Sequence, residues 1–416
     1  MSTIASALRK RYENKLHILA SECNNGNLTY DGIEVCGERL AHEVEEALDT
    51  SKASGHGHGF QKLSIVGYSL GGLIARYALG LLYAQGWLDD LEPVNFTTFA
   101  TPHLGARAAV RGATNLLFNG IGSRTISTSG RQMFLTDTFR DTGRPLLSVL
   151  ADPEYIFFEA LRKFRYRSAY GNVVNDRTTP FYTTIFSSVD HFPDLENANV
   201  NYAEGYESVV IDPEVYTFPS EKGQLSILSW LSKSVRNFFR KLPFWLLYTL
   251  LILIFLPIFL AYAMVQTFRS QKRIRLHEGS GTLFSRYRMP VAVQRVRTAV
   301  DEVFENAAAR QDPDYISSAT PDNLPTGAAS DTADYADGKS TTIAPGQTAS
   351  GRPTLALTPD QFAMIESLNA VGFRKYPVYI HKHRHTHAAI VVRVDKPGFE
   401  EGHVVIKHWL DQGFQP

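Results

Sequence analysis

A serine in a glycine-rich turn is the residue of this chain whose surroundings best suit covalent chemistry. The sequence GYSLG (residues 67–71) has the form G-x-S-x-G and lies between a strand-like run over 62–66 and a helical pattern over 71–83. In that context the motif is typical of a nucleophile elbow, a sharp turn that exposes the serine hydroxyl. We therefore predict Ser69 as a nucleophile and the Leu70 backbone N–H, at the start of the helix, as an oxyanion donor. The alternative is a plain strand–turn–helix packing site.

Asp176 is the predicted acid partner of this serine. A serine nucleophile needs a base to accept its proton and a carboxylate to orient that base, and after an elbow of this type the acid precedes the histidine along the chain. The sequence YGNVVNDRTTPF around Asp176 is typical of a strand that ends in an Asn-Asp turn. The alternative role of Asp176 is to cap the backbone of its own turn. Asp190 and Asp194 are the next candidates.

The predicted base lies in the histidine-rich sequence HKHRHTHAAIVVR near the end of the chain. Its histidines alternate with other residues, so an extended strand would carry all four on one face: His381, His383, His385 and His387. Imidazoles bind zinc, but the segment offers no cysteine and no evident acidic ligand, and a serine nucleophile needs no metal. We therefore predict no metal site. His387 is the predicted base, because the apolar run over 388–392 could pack its loop back on a sheet.

Three other histidine sequences compete weakly with His387. His103 lies in TPHLG, His191 lies in VDHFPD, and residues 55–59 read GHGHG. The last sequence resembles an oxyanion His-Gly motif, but it precedes the strand that leads to Ser69. We predict a flexible loop there.

The elements that must position these residues alternate between strand and helix up to about residue 190. Apolar runs and helical periodicity predict an N-terminal amphipathic helix, strands over 16–20, 62–66, 96–100 and 168–174, and helices over 37–48 and 71–83. Alternation at these lengths indicates an α/β fold in which helices cover a mostly parallel sheet.

Composition divides the chain into four parts. These are a first part of the α/β core over 1–220, an insertion over 221–305, a linker over 306–358 and a second part of the core over 359–416. The linker is rich in Ala, Asp, Thr, Ser, Pro and Gly, so we expect it to be disordered. The last part is predicted to hold a helix over 359–371 and strand-like structure over 378–394.

Residues 244–265 form an apolar run without a single charge. Its length matches the hydrocarbon thickness of a bilayer, so we predict contact with a membrane rather than a buried core helix. Ser69 and Asp176 precede this run and His387 follows it. Both flanks must therefore end on the same side if the three side chains are to meet. We expect the run to enter lipid without crossing it, with basic residues at both ends and a bend at Pro257, which removes a backbone hydrogen bond.

The overall charge is balanced, with 42 basic and 42 acidic residues. There is consequently no electrostatic case for a nucleic-acid partner. Two cysteines in 416 residues indicate a reducing compartment without a disulfide framework. The first fifteen residues lack the apolar core of a signal peptide.

Several longer stretches together resemble the fungal putative serine esterase family of lipase-like α/β-hydrolases, which includes a yeast lipid-droplet phospholipase. In chain order they are NGNLTYDGIEVCGERL, IVGYSLGGLIARYALGLL, FTTFATPHLGAR, YGNVVNDRTTPFYTT and HTHAAIVVR, and they lie within residues 10–190 and 370–412. The resemblance implies an α/β-hydrolase fold and hydrolysis of acyl esters of lipids, with Ser69, Asp176 and His387 at the triad positions.

One difference from that family concerns the oxyanion site. Its members begin with a further strand that ends in a His-Gly motif, whose backbone supplies a second oxyanion N–H, and this chain begins just after that place. Loss of one such donor costs on the order of 100- to 1,000-fold in turnover. We therefore expect either an N-terminally shortened sequence or a catalytically impaired protein.

Taken together, the residues and the resemblance predict a lipase or phospholipase at a membrane surface. The expected substrate is a glycerophospholipid or an acylglycerol, no cofactor is expected, and residues 121–164 are predicted to form a cap over the acyl chain. The expected location is the lipid droplet or the endoplasmic reticulum membrane, facing the cytosol. The alternatives are a non-catalytic lipid-surface protein of the same fold and a thioesterase or protein deacylase with the same three residues.

Overall fold

The computed structural model describes residues 1–53, 59–106, 127–174, 176, 178–189, 192, 199–206, 208–217, 261–279, 283–292, 355 and 357–416. Nearly all of the predicted linker over 306–358 lies outside the described residues, as does the predicted loop over 55–59 apart from Gly59. The same holds for residues 244–260 of the apolar run. Within the part that is described, no helix is both long enough and apolar enough to cross a membrane.

Four parallel strands form the central sheet. In chain order the strands of the described residues are β1 (Lys62–Tyr68), β2 (Glu92–Phe99), β3 (Tyr166–Asn172), β4 (Asn199–Tyr202), β5 (Ile211–Thr217) and β6 (Arg374–Val378). The central sheet has the order β1-β2-β3-β6, and each strand runs parallel to its neighbour. Strands β4 and β5 form a separate antiparallel pair. Because the four central strands are parallel, their carboxyl ends lie at one edge of the sheet, where ligand sites of such sheets are found.

Helices flank this sheet, so the chain has the predicted α/β fold. Those of the described residues are α1 (Ser2–Tyr12), α2 (Ile33–Ala53), α3 (Leu70–Ala84), α4 (Trp87–Asp90), α5 (Thr128–Met133), α6 (Leu146–Ala151), α7 (Ile156–Arg162), α8 (Phe181–Thr184), α9 (261–277), α10 (Pro359–Ala370), α11 (Thr386–Ala389) and α12 (Glu401–His408). Shorter helical turns lie at Glu13–Lys15, Gly26–Asp31, Arg140–Thr142, Leu283–Tyr287 and Trp409–Gly413.

Helix α3 lies at the centre of the larger hydrophobic core. Every residue from Gly72 to Leu82 is buried, and apart from Arg76 all of them are apolar or glycine. Its neighbours in the core include α2 and α7. Gly80 lets Phe157 of α7 approach closely, because a Cβ atom built on Gly80 would lie only 2.2 Å from a ring carbon of Phe157. The absence of a side chain at residue 80 therefore sets the distance between these two helices.

A second hydrophobic core joins both ends of the chain to the sheet. The rings of Phe99, Tyr170 and Tyr376 stack across β2, β3 and β6 at centroid distances of 4.9 and 4.8 Å. Trp409, which is fully buried, meets Phe99 edge-on at 5.8 Å. Ile4 of α1 belongs to the same cluster. Residues at the two ends of the chain thus share one core with the middle of the sheet.

Several of the predicted elements are confirmed, with somewhat different bounds. The predicted helix over 37–48 is the middle of α2, and the predicted strand over 62–66 is most of β1. The helix predicted over 359–371 is α10, which begins with a capping box between Thr358 and Gln361.

Two predicted strands are wrong. Residues 16–20 belong to no strand or helix. In the segment over 378–394, β6 ends at Val378, and a loop and α11 follow. The reason lies in the buried carboxylate of Glu401, which accepts the backbone N–H groups of His381 and Lys382 at 3.1 and 3.0 Å. A side chain thereby takes hydrogen bonds that a neighbouring strand would otherwise have accepted.

The predicted cap over 121–164 is also wrong where it is described, which is from residue 127 onward. Helices α6 and α7 bury Leu147, Leu150 and Phe157 in the same core as α3. Their apolar side chains are therefore used to build the domain and are not held over its surface.

Two alanine substitutions in α3 test this packing. We expect Gly80→Ala to lower the free energy of unfolding by about 1–3 kcal/mol, because the new methyl group must displace Phe157. Gly71→Ala is the matched control, since nothing lies within 4 Å of a Cβ atom at that position. It should leave stability unchanged or raise it by up to about 1 kcal/mol, because alanine favours helix. Thermal or urea unfolding followed by circular dichroism would measure both, and equal stabilities of the two variants would contradict the close contact.

Candidate active site

Ser69 occupies a strained turn between β1 and α3. Its backbone angles are φ 53° and ψ −131°, which a residue with a side chain rarely adopts. The turn is held because the Ser69 N–H donates to the Phe99 carbonyl at 2.9 Å. Gly67 makes the turn possible, since a Cβ atom there would lie 2.4 Å from the Cα of Gly72. This is the geometry expected of a nucleophile elbow, with a hydroxyl displayed at the carboxyl edge of the sheet.

The structure brings the three residues predicted as nucleophile, base and acid into one hydrogen-bonded chain. His387 Nε2 lies 2.9 Å from Ser69 Oγ, and His387 Nδ1 lies 2.9 Å from Asp176 Oδ2. The Asp176 side chain is 1% exposed and that of His387 is 18% exposed. The imidazole is therefore largely shielded from water, yet still open toward the serine.

The two oxygens of Asp176 have different partners. Oδ1 accepts the backbone N–H groups of Thr178 and Thr179 at 3.1 and 2.8 Å, as in a turn capped by its own aspartate. Oδ2 accepts the Asn172 amide at 3.0 Å and faces His387. Asp176 therefore makes the contacts of a turn cap with one oxygen and the contact expected of an acid partner with the other.

The charge state of Asp176 follows from these contacts. Burial by itself raises the pKa of the Asp176 carboxyl, but the hydrogen bonds from His387, Thr179 and Asn172 outweigh it and hold the pKa below its ordinary value. The carboxylate is ionised at neutral pH and can only accept hydrogen bonds. The proton of neutral His387 is therefore expected on Nδ1, which leaves Nε2 free to accept the Ser69 hydroxyl proton.

Thr179 contacts both members of the acid–base pair. Its Oγ1 donates to Asp176 Oδ2 at 2.9 Å and lies 3.0 Å from His387 Nδ1. The residue is 1% exposed, so water does not compete for these hydrogen bonds. Thr179 thus fixes the imidazole and the carboxylate relative to each other.

Two further contacts hold the loop that carries His387. The Tyr68 hydroxyl donates to the His387 carbonyl at 2.9 Å, and the two rings lie 5.2 Å apart. Burial raises the pKa of Tyr68 to about 12, so this donor keeps its proton at neutral pH. Thr386 Oγ1 donates to the Val174 carbonyl at 3.0 Å, which ties the histidine loop to the loop of the acid.

The other histidines of the segment point to separate partners. His381 pairs with Glu401 at 3.0 Å, and the ring of His383 meets Phe399 edge-on at 4.8 Å. The His385 backbone N–H donates to His383 Nδ1 at 2.9 Å. The expectation that all four histidines share one face is wrong, because the segment is a loop and not a strand. Of these four, His387 is the one bonded to Ser69.

The remaining candidates of the sequence do not join this group. His103 is fully buried between Thr98 and Arg76, and burial followed by the Arg76 charge lowers its pKa well below the ordinary value. It remains neutral and structural. The alternative acids Asp190 and Asp194 and the competing His191 lie outside the described residues.

Leu70 is the first residue of α3, and its side chain packs on the core. The first N–H groups of a helix lack partners within the helix, so the Leu70 N–H is free of the i→i−4 ladder and lies directly after the serine. A hydroxyl, an imidazole, an ionised carboxylate and a helix N-terminus in this order can transfer an acyl group through a serine ester.

Sequence reasoning missed the residues that hold these groups in place. Tyr68 lies inside the G-x-S-x-G motif, which specifies only the glycines and the serine. Thr179 follows Asp176 by three residues, a spacing that indicates a turn but not contact with a histidine more than 200 residues later. Asn172 ends β3 and carries no signal of its own.

Curated relatives of the chain are fungal proteins named as lipases. It is 30% identical over 190 residues to the "Putative lipase ROG1" of Saccharomyces cerevisiae, an alignment that covers 45% of this chain and 26% of the relative. It is 31% identical over 161 residues to the "Putative lipase C4A8.10" of Schizosaccharomyces pombe, covering 38% of this chain and 20% of the relative. The chain thus spans about a quarter or less of the length of these relatives. No solved structure matches it significantly.

The family comparison covers the first part of the chain, including Ser69 and Asp176. Residues 1–189 match the family described as "Putative serine esterase (DUF676)". Over this first part, the chain is therefore similar to proteins of the putative serine esterase family.

Proposed function

We propose that this protein is a serine hydrolase of the α/β-hydrolase fold that cleaves acyl esters of lipids, either glycerophospholipids or acylglycerols. The observation that carries the proposal is the hydrogen-bonded chain from Ser69 Oγ through His387 to Asp176, at 2.9 Å for each step. Strained backbone at Ser69 supports it, because such strain concentrates where a side chain must be presented for reaction. The names of the fungal relatives support the choice of a lipid ester.

The reaction proceeds in two halves. Ser69 Oγ attacks the acyl carbonyl as its proton passes to His387 Nε2, and Asp176 stabilises the imidazolium through Nδ1. The Leu70 N–H donates to the oxyanion of the tetrahedral intermediate. His387 then donates the Nε2 proton to the leaving alcohol. The alcohol departs, and the acyl group remains as an ester on Ser69. In the second half His387 takes a proton from water, the resulting hydroxide attacks that ester, and the fatty acid departs as Ser69 regains its proton.

The proposed location is the cytosolic surface of a lipid droplet or of the endoplasmic reticulum membrane. The apolar run over 244–265 is preceded and followed by segments attached to the same body of protein. Upstream of it, Val210 forms a bridge to Val378 of β6. Downstream, Ser270 of α9 donates to Asp31 at 2.7 Å. A lipid-embedded run between such flanks must enter and leave on one side, which suits a surface-bound enzyme.

Ser69→Ala tests the nucleophile. We expect at least about a 1,000-fold loss of ester hydrolysis with unchanged thermal unfolding, because alanine removes only the hydroxyl. A fluorophosphonate probe should label the parent protein and not the variant. Equal labelling of the two proteins would exclude Ser69.

A substrate panel separates the proposed activity from its alternatives. Purified parent protein should hydrolyse phospholipids or acylglycerols in preference to acyl-thioesters. A preference for thioesters would indicate a thioesterase or protein deacylase. Folded protein that neither turns over any substrate nor reacts with fluorophosphonate would indicate a non-catalytic lipid-surface protein.

His387→Ala should be far more damaging than alanine at the other histidines of its loop. It removes the base that lies 2.9 Å from Ser69 Oγ, whereas the matched controls His383→Ala and His385→Ala change side chains that do not contact the serine. Hydrolysis rates at saturating substrate would measure the difference. Comparable losses at several of these histidines, together with inhibition by a chelator, would instead point to a metal site.

Thr179→Val tests the positioning of the acid and base. We expect a fall in kcat of about 10- to 100-fold with little change in KM, since a hydrogen bond to a charged group contributes about 1.5–3 kcal/mol. Thr178→Val is the matched control, because its side chain is exposed and only its backbone contacts Asp176. Thr179→Ser should restore most of the activity. If the valine and serine variants lose equal activity, the hydroxyl is not the relevant group.

A further inference from the structure

Helix α9 packs against the protein with its polar side buried and its apolar side exposed. Its most buried side chains are polar, namely Gln266, Ser270 and His277. The exposed side chains include five large apolar ones: Tyr262 at 50%, Met264 at 62%, Val265 at 47%, Phe268 at 65% and Leu276 at 67% exposure. They are five of the eight exposed large hydrophobic residues in the described part of the chain. Such a concentration on one short helix marks an interaction surface.

The polar side of α9 is fixed by buried carboxylates of the hydrolase domain. The Asp31 side chain is fully buried and accepts hydrogen bonds from Ser270 at 2.7 Å, from Arg273 at 2.6 Å and from Arg39 at 2.8 Å. Burial by itself raises the pKa of Asp31, but these hydrogen bonds outweigh it and hold the pKa below its ordinary value. The carboxylate is therefore charged at neutral pH and needs its partners.

A second pair joins His277, two turns of α9 beyond Ser270, to Glu38 of α2. His277 Nε2 lies 2.6 Å from Glu38 Oε2, and both side chains are nearly fully buried. If α9 rolled to bury its apolar side, Asp31 and Glu38 would lose these partners inside the protein, which is strongly unfavourable. The apolar side must therefore be covered by something other than the hydrolase domain.

The surface that faces away from Ser270 combines apolar and basic residues. Spacing along the helix puts Met264, Val265 and Phe268 on the side opposite the buried stripe, with Lys272 and Arg275 one to two turns further along. Arg269 is exposed as well, and no acidic residue occurs between 261 and 277. We call Met264, Val265, Phe268, Lys272 and Arg275 the outer face of α9.

Charge and continuity indicate what covers this outer face. An apolar patch that grades into exposed basic residues matches the boundary between acyl chains and anionic head groups. Met264 and Val265 are also the last residues of the uncharged run that begins at residue 244, and this favours lipid as the partner of the outer face.

We propose that the outer face of α9 docks on a phospholipid surface that contains anionic lipids, and that Asp31 and Glu38 set the orientation of the hydrolase domain on it. Met264, Val265 and Phe268 enter the acyl-chain boundary, and Lys272 and Arg275 contact the head groups. The inference extends the proposed lipid-surface location, and it does not require hydrolysis.

A fluorophore on the outer face tests this inference in the full chain. Phe268→Cys, in a Cys23→Ser background because Cys36 is fully buried, is labelled with nitrobenzoxadiazole and reconstituted with phosphatidylcholine–phosphatidylserine vesicles. The control is Val394→Cys, an apolar site that is 59% exposed and lies outside α9. We expect spin-labelled lipid to quench the probe at residue 268 several-fold more than the probe at residue 394. Aqueous iodide should quench in the opposite order.

Each other outcome overturns the proposal. Equal iodide quenching at residues 268 and 394 would mean that the outer face is in water. Shielding from both quenchers would mean that protein covers it, either residues 244–260 of this chain or a second copy. Fluorophosphonate labelling of the same samples keeps the two proposals apart. If Ser69 reacts but residue 268 is exposed to water, the proposed hydrolase activity stands and the proposed docking surface is excluded. If Ser69 does not react but residue 268 is in lipid, the docking surface stands and the hydrolase is excluded.

Charge reversal tests the anionic part of the proposal. Lys272→Glu together with Arg275→Glu should lower lipid quenching at residue 268 several-fold. Arg9→Glu together with Lys10→Glu is the matched control, since these exposed residues of α1 give the same change in net charge. Equal quenching in the two double variants would show that anionic head groups are not recognised by the outer face.

Discussion

The hydrogen-bonded chain from Ser69 through His387 to Asp176 depends on one constraint, which is that β1, β3 and β6 end at the same edge of a sheet. Parallel pairing of the strands β1-β2-β3-β6 meets this constraint, because it brings three carboxyl ends together whatever the length of chain between them. The chain between β3 and β6 holds about half of the protein, yet its length does not affect the distance of 2.9 Å between His387 and Ser69. A longer connection between these strands therefore costs little in free energy.

Much of the sheet and of the site could be predicted because the relevant rules are local. The pattern of a strand, G-x-S-x-G and an apolar helix lies within about twenty residues of sequence. Asp176 is likewise recognised from the turn that ends its own strand. His387 was also predicted from its neighbours, namely the apolar run that follows it. In the structure this run packs in the second core, and Ile390 and Val391 are fully buried. Local patterns therefore predicted the residues that the fold brings together at long range.

The rest could not be predicted, because it depends on which distant group satisfies a given polar atom. The loop over 379–385 alternates like a strand, but Glu401 accepts the backbone N–H groups of His381 and Lys382. No pattern at residue 381 indicates a carboxylate twenty residues later. Likewise the sequence of α9 predicts which residues are apolar and not which side is buried. That side was decided by Asp31 and Glu38, more than 200 residues earlier.

Helix α9 and the turn at Leu283–Tyr287 are both held on the domain by polar contacts with buried carboxylates. Beyond α9 the pattern continues, since Arg286 pairs with Glu45 of α2 and the Tyr287 hydroxyl donates to the same carboxylate at 2.6 Å. Hydrophobic packing is non-directional, so the exposed apolar residues of α9 could equally well have packed on the domain. Ion pairs with buried carboxylates are specific for their partners, and they leave the apolar side chains of α9 exposed. A helix whose apolar side chains are to stay exposed is consequently better held by polar contacts on its protein side.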